Sequence, residues 1–122
     1  KTLFIGGMIN RTAVAKAALA CGNDIAIICA GTNGMDSADD ICTAGAIAEA
    51  IGRLALSPVQ PSDMTLISTM MYADYKAGRA DLSVTYHYAK LMSLGFKEDN
   101  EYCLSEDTSE VVPQLINGVI VG

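Results

Sequence analysis

Residues 24–54 read Asp-Ile-Ala-Ile-Ile-Cys-Ala (24–30), Gly-Thr-Asn-Gly (31–34), Met-Asp-Ser (35–37) and Ala-Asp-Asp-Ile-Cys-Thr-Ala-Gly-Ala-Ile-Ala-Glu-Ala-Ile-Gly-Arg-Leu (38–54). After one Asp, the first block is an unbroken apolar run with the length and β-branched content of a buried strand. The second is a glycine-bracketed turn. The last predicts a helix from about Ala38 to Leu54, with Ile41, Ala44, Gly45, Ile47, Ala48 and Ile51 at helical spacing. The same order stands upstream. Residues 2–8 predict a buried strand ending in Gly6-Gly7. Residues 10–21 predict a helix, with Asn10 as N-cap and Ala13, Val14, Ala17, Ala18 and Cys21 as its inner face. Gly22-Asn23 stops that helix. Strand, helix, strand, helix at these lengths argues a right-handed βαβ unit and a parallel sheet.

Downstream the pattern changes. Ser57-Pro58 and Gln60-Pro61 mark a loop, and Ser62 caps a helix predicted to run to about Lys76. Gly78 interrupts. A further helix is predicted from about Asp81 to Leu94, ending at Gly95. Residues 98–104 fit either a short helix or a strand. Residues 111–121 read as a hairpin turning at Asn117-Gly118, with Pro113 placing its first arm on an edge. The expectation is one α/β domain over residues 1–122. It is a three-layer α/β/α arrangement with a mainly parallel or mixed sheet, a helical insertion and a C-terminal β-hairpin.

The chain has 122 residues, 51% of them apolar, and a net charge of −6. That composition argues against disorder. With eight scattered Lys and Arg and no basic patch, nothing points to nucleic acid. No apolar run approaches the roughly 20 residues of a membrane helix, and no signal peptide is visible. Cys21, Cys29, Cys42 and Cys103 match neither zinc spacing nor CxxC. They read as buried, reduced thiols of a cytoplasmic protein. Lys1 opens directly into strand-like sequence, as a piece of a longer chain would. The Met64, Ile67, Met70 and Met71 set reads as core.

The chemistry gathers at Cys29–Asp40. The turn Gly31-Thr32-Asn33-Gly34 follows a predicted parallel strand, where open α/β sheets place ligands. Glycines admit an anion, the next helix offers free N–H groups, and Thr32, Asn33 and Ser37 add hydroxyls and an amide. Asp39 and Asp40 oppose an anion unless a hard cation bridges them, which suggests a Mg²⁺-assisted phosphate site. The alternative is plain capping, with Ser37 as N-cap and the two acids on the helix dipole. His87, the single histidine, is either a general acid for a leaving alkoxide or a half-buried helix residue beside Val84, Tyr88, Leu91 and Leu94.

Several segments in order resemble the 2-phosphosulfolactate phosphatase family. They are Cys29–Gly34 (CAGTNG), Ser37–Ile47, Gly6–Val14 (GGMINRTAV), His87–Phe96 (HYAKLMSLGF) and the closing set Asp99, Cys103, Asp107, Val112, Pro113, Gly118 and Val119. The departures are Asp36 in place of an aromatic, Asp39 where Glu is frequent, and Tyr88 in place of glycine. The resemblance implies Mg²⁺-dependent hydrolysis of 2-phosphosulfolactate, or a related phosphorylated 2-hydroxy acid, to sulfolactate and phosphate, as in coenzyme M biosynthesis. It implies Asp39 and Asp40 at the metal and Asp40 and His87 in catalysis. Gly31, Thr32, Asn33, Gly34, Ser37 and Asn10 would then hold the substrate. Such enzymes are about twice this length, so the resemblance also implies an N-terminal half as partner, and the surface facing that half suggests a homo-oligomer. A non-catalytic ligand-binding or assembly domain is the other reading.

Overall fold

The structure, a computed structural model, describes residues 1–122. A 3-10 turn at Met8–Asn10 leads into α1 (Arg11–Ala20), followed by α2 (Ala38–Leu54), α3 (Asp63–Lys76), a 3-10 turn at Leu82–Val84, α4 (Tyr86–Ser93), α5 (Lys97–Cys103), β1 (Gln114–Ile116) and β2 (Val119–Val121). About half the residues are helical, and β1 and β2 form a two-stranded antiparallel sheet. The fold therefore mixes α and β, with helices dominant.

α2 lies at the centre because it is apolar on two faces. Cys42 and Ala46 pack with Met8, Tyr72 and Leu82, while Ile47, Ala50 and Ile51 pack with Val14 and Ala15 of α1. The crossing with α3 is close. A Cβ placed on Gly45 would stand 1.9 Å from the Ser68 carbonyl oxygen, so only glycine fits there. Ser62 caps α3 as expected, its hydroxyl accepting from the Thr65 N–H at 3.2 Å.

A second tie is ionic. Arg11 at the start of α1, 12% exposed, bonds Glu49 of α2 at 3.1 Å and reaches Glu106 at 3.4 Å and Asp107 at 3.2 Å. Its guanidinium lies 5.4 Å from the Tyr72 ring centre. The Tyr72 hydroxyl donates to Glu106 at 3.0 Å, and burial, then that carboxylate, pushes its pKa up to about 12. Asp107 also accepts from the Thr12 N–H at 2.9 Å and the Thr12 hydroxyl at 2.8 Å, capping the first turn of α1.

Several expectations need correction. Neither 2–8 nor 24–30 forms a strand in a parallel sheet. Leu3–Ile5 is extended and pairs only with the residues leading into the hairpin, through Ile5 N–H to Pro113 O at 2.8 Å and Leu115 N–H to Leu3 O at 3.0 Å. Residues 24–30 make no backbone hydrogen bond. A strand is defined by its neighbours, and these segments lack them here. The helix expected over 81–94 is split at Thr85. Asp81 draws the Ser83 N–H to its side chain at 2.8 Å and Thr85 turns its hydroxyl to Leu82 O at 2.7 Å, so local side-chain bonds replace helical ones. Residues 97–103 settle as helix. Asn10 occupies the N-cap position of α1 but makes no capping bond. Of the cysteines only Cys42 is buried. Met64, Ile67 and Met70 are open to solvent, at 62%, 53% and 68% exposure, rather than in the core. The hairpin turns at Asn117 (φ 51°) and Gly118 (φ 81°). No helix is long and apolar enough to cross a membrane.

Candidate active site at the first turn of α2

The tight turn after residues 24–30 is closed by its own backbone, with Thr32 N–H to Met35 O at 2.9 Å and Met35 N–H to Thr32 O at 3.1 Å. Positive φ at Asn33 and Gly34 makes the reversal, and Gly31 has no room for a side chain against the Met35 carbonyl. The chain then enters α2 through extended Ser37. Ile41 is the first residue of α2 to bond back, to Ser37 O at 3.1 Å. The N–H groups of Ala38, Asp39 and Asp40 therefore have no backbone acceptor. They form the positive end of a 17-residue helix.

Four side chains meet here in a closed ring. The Thr32 hydroxyl lies 2.9 Å from His87 Nδ1, His87 Nε2 lies 3.6 Å from Asp39 Oδ2, Ser37 donates to Asp39 Oδ1, and Thr32 lies 3.4 Å from Ser37. Ser37 is buried, and His87 and Asp39 are 26% and 33% exposed. The carboxylate facing Nε2 favours a proton on that nitrogen. Nδ1 faces the Thr32 hydroxyl. Asp40 stands apart, its Oδ2 accepting from the Gly31 N–H at 2.6 Å.

Of the residues singled out in the sequence, Gly31, Thr32, Ser37, Asp39, Asp40 and His87 are linked through these bonds. Asn33 and Gly34 form the exposed tip of the turn. Asn10 is not part of the cluster. It is buried, accepting from the Gly7 N–H and donating to the carbonyls of Ile5 and Val111, so its amide ties loops together. The ring's carbon–hydroxyl partner to His87, Thr32, is 55 residues away in sequence. No local signal joins the two.

The carboxylates also govern the neighbouring thiols. Burial, then Asp40, Asp36 and Asp39, pushes the Cys29 thiol up, and burial with Asp39 and Glu106 holds Cys42 at about 11. Both therefore stay protonated at neutral pH and are poor nucleophiles. As for a metal, no three His, Cys, Asp or Glu side chains converge. Asp39 Oδ1 accepts from Ser37 and its Oδ2 faces His87 Nε2 at 3.6 Å, whereas Asp40 Oδ1 is free. One open carboxylate suits Mg²⁺, which is bound through one or two carboxylates, waters and substrate phosphate oxygens.

A profile of the 2-phosphosulpholactate phosphatase family matches residues 1–118. The chain is 36% identical over 119 residues to the probable 2-phosphosulfolactate phosphatase of Caldanaerobacter subterraneus subsp. tengcongensis, covering 97% of this chain and 48% of that protein. It is 36% identical over 115 residues to the protein of that name from Clostridium novyi (94% and 48%) and 34% identical over 120 residues to that from Clostridium tetani (98% and 50%). The chain spans about half the length of the curated relatives it matches. On this evidence the chain belongs to the 2-phosphosulpholactate phosphatase family.

Proposed function

We propose that these residues form one wall of a Mg²⁺-dependent phosphatase site for 2-phosphosulfolactate or a related phosphorylated 2-hydroxy acid, a phosphoric monoester hydrolase of coenzyme M biosynthesis in the cytoplasm. The observation that carries this reading is the Thr32–His87–Asp39 chain beside the free N–H groups of α2. Phosphate oxygens accept from Ala38, Asp39 and Asp40 N–H, with Asn33 and Gly34 at the rim. Ser37 and Thr32 keep the Asp39 carboxylate and the His87 ring in place. With its ring protonated, His87 gives a proton to the alkoxide as the P–O bond breaks and a water oxygen bonds to phosphorus, and the proton that the water loses returns to the ring, yielding the hydroxy acid and inorganic phosphate. Mg²⁺, held by Asp40, would supply neutralisation of the phosphate charge.

The opposite wall comes, in this reading, from an N-terminal half that these 122 residues do not span. With it the three-layer α/β/α arrangement and its mainly parallel or mixed sheet are complete, in a homo-oligomer. Asp40→Asn in the assembled enzyme is expected to abolish Mg²⁺-dependent phosphate release. Release at the unsubstituted rate would overturn the role of Asp40.

The alternative reading is a non-catalytic ligand-binding or assembly domain that keeps the fold. Tight calorimetric binding of phosphate with Mg²⁺, without turnover in the assembled protein, would select it.

A further inference from the structure

Asp24–Ala30 is the segment least accounted for by the rest of the chain. Its seven residues belong to no helix, turn or strand, and none of their N–H or C=O groups bonds to another part of the molecule. The sequence gives no reason to leave such a segment in water. After Asp24 it has no charge, no proline and no glycine. Edge strands normally carry Lys, Pro or a bulge against unwanted pairing, and strands with one wet face alternate apolar with polar. This segment does neither.

Its two faces differ. Ile25 and Ile27, which a strand would place on one face, are 39% and 38% exposed, whereas Ile28, which it would place on the other, is 88% exposed. One face is thus partly covered by this chain and the other is open. Leu3–Ile5 shows the same incompleteness on one edge. Leu3 and Ile5 bond towards Pro113–Leu115, while the backbone groups of Phe4, which point the other way, have no partner.

We infer that Asp24–Ala30 is an interior strand, and that its neighbours on both edges are β-strands from the half of the family's length that these 122 residues do not span. Those relatives extend about as far again beyond the match, which is enough for several strands and a covering layer. The occupant brings backbone to both edges and apolar side chains to the Ile28 face. An uncharged segment of this kind selects strand addition over ionic docking. The inference builds on the partner reading above but not on the phosphatase chemistry, so it is tested without turnover.

The chain is co-expressed with the unmatched half of each of the three relatives named above, that half carrying an affinity tag. Hydrogen exchange is then followed by mass spectrometry. At least one half is expected to retain the chain and to slow exchange at residues 25–30 at least about tenfold relative to the chain alone. Ala26→Pro, which removes one N–H donor from the strand, is expected to lose retention while α1, α2 and α3 of the free variant keep their protection. Four results would overturn the inference. They are no retention by any half, retention with residues 25–30 still exchanging freely, equal retention of Ala26→Pro, and concentration-dependent protection of residues 25–30 in the chain alone, which would assign the strand to a second copy.

Discussion

The helices and the extended segments of this molecule stand in contrast. α1, α2 and α3 bury their apolar faces on one another and are tied by a close backbone crossing and an ionic cluster. Asp24–Ala30, richer in β-branched residues than any of these helices, satisfies none of its backbone within the chain. A helix closes its hydrogen bonds internally and needs only a packing surface. A strand needs another strand for the bonds themselves. A chain can therefore keep an ordered helical layer while a strand-like segment stays unpaired.

The largest expected effect breaks the ordered side. Gly45→Val puts methyl groups into the Ser68 carbonyl and is expected to cost about 3 kcal/mol or more, seen as a sharp fall in urea midpoint. An unchanged midpoint would mean that α2 and α3 do not cross as described.

Next comes the acidic cap. Burial alone would raise the Asp107 pKa, but the Thr12 N–H and hydroxyl and the Arg11 charge outweigh it and hold the carboxyl below its usual range. In the window below about pH 4 the unfolded chain binds more protons, so the contribution is complete above that window and fades as acid is added. Asp107→Ala is expected to cost about 1 kcal/mol at pH 7 and to flatten the acid limb of a stability-against-pH curve. Parallel curves for both proteins would refute the cap. The smallest effect lies on the unpaired side. Ile28→Ala in the chain alone is expected to move the midpoint by less than about 0.5 kcal/mol. A core-sized loss there would show that the segment is already covered.

What could be read beforehand follows the same division. The ends of α2 and α3 and the Asn117-Gly118 turn are set by residues within a few positions of one another, and they were legible. So was most of the candidate site, because Gly31, Thr32, Ser37, Asp39 and Asp40 lie within one turn and one helix start. The meeting of His87 with Thr32 was not, since it depends on how α4 packs. Asn10 shows another limit: a residue suited to capping is equally suited to bridging loops, and the Ile5 and Val111 carbonyls claimed it. Periodicity marked Met64, Ile67 and Met70 as one face, but it does not say whether anything covers that face.

The bare Ile25–Cys29 stretch also has a kinetic meaning. A short, uncharged, β-branched run with both edges free is a template for like segments from other molecules, and stacking of such runs is the first step towards cross-β aggregates. If the inferred neighbour strands are slow to pair with it, each new molecule is exposed to a competing, concentration-driven fate. Survival depends on how quickly the strand is claimed, as well as on how stable the helices are.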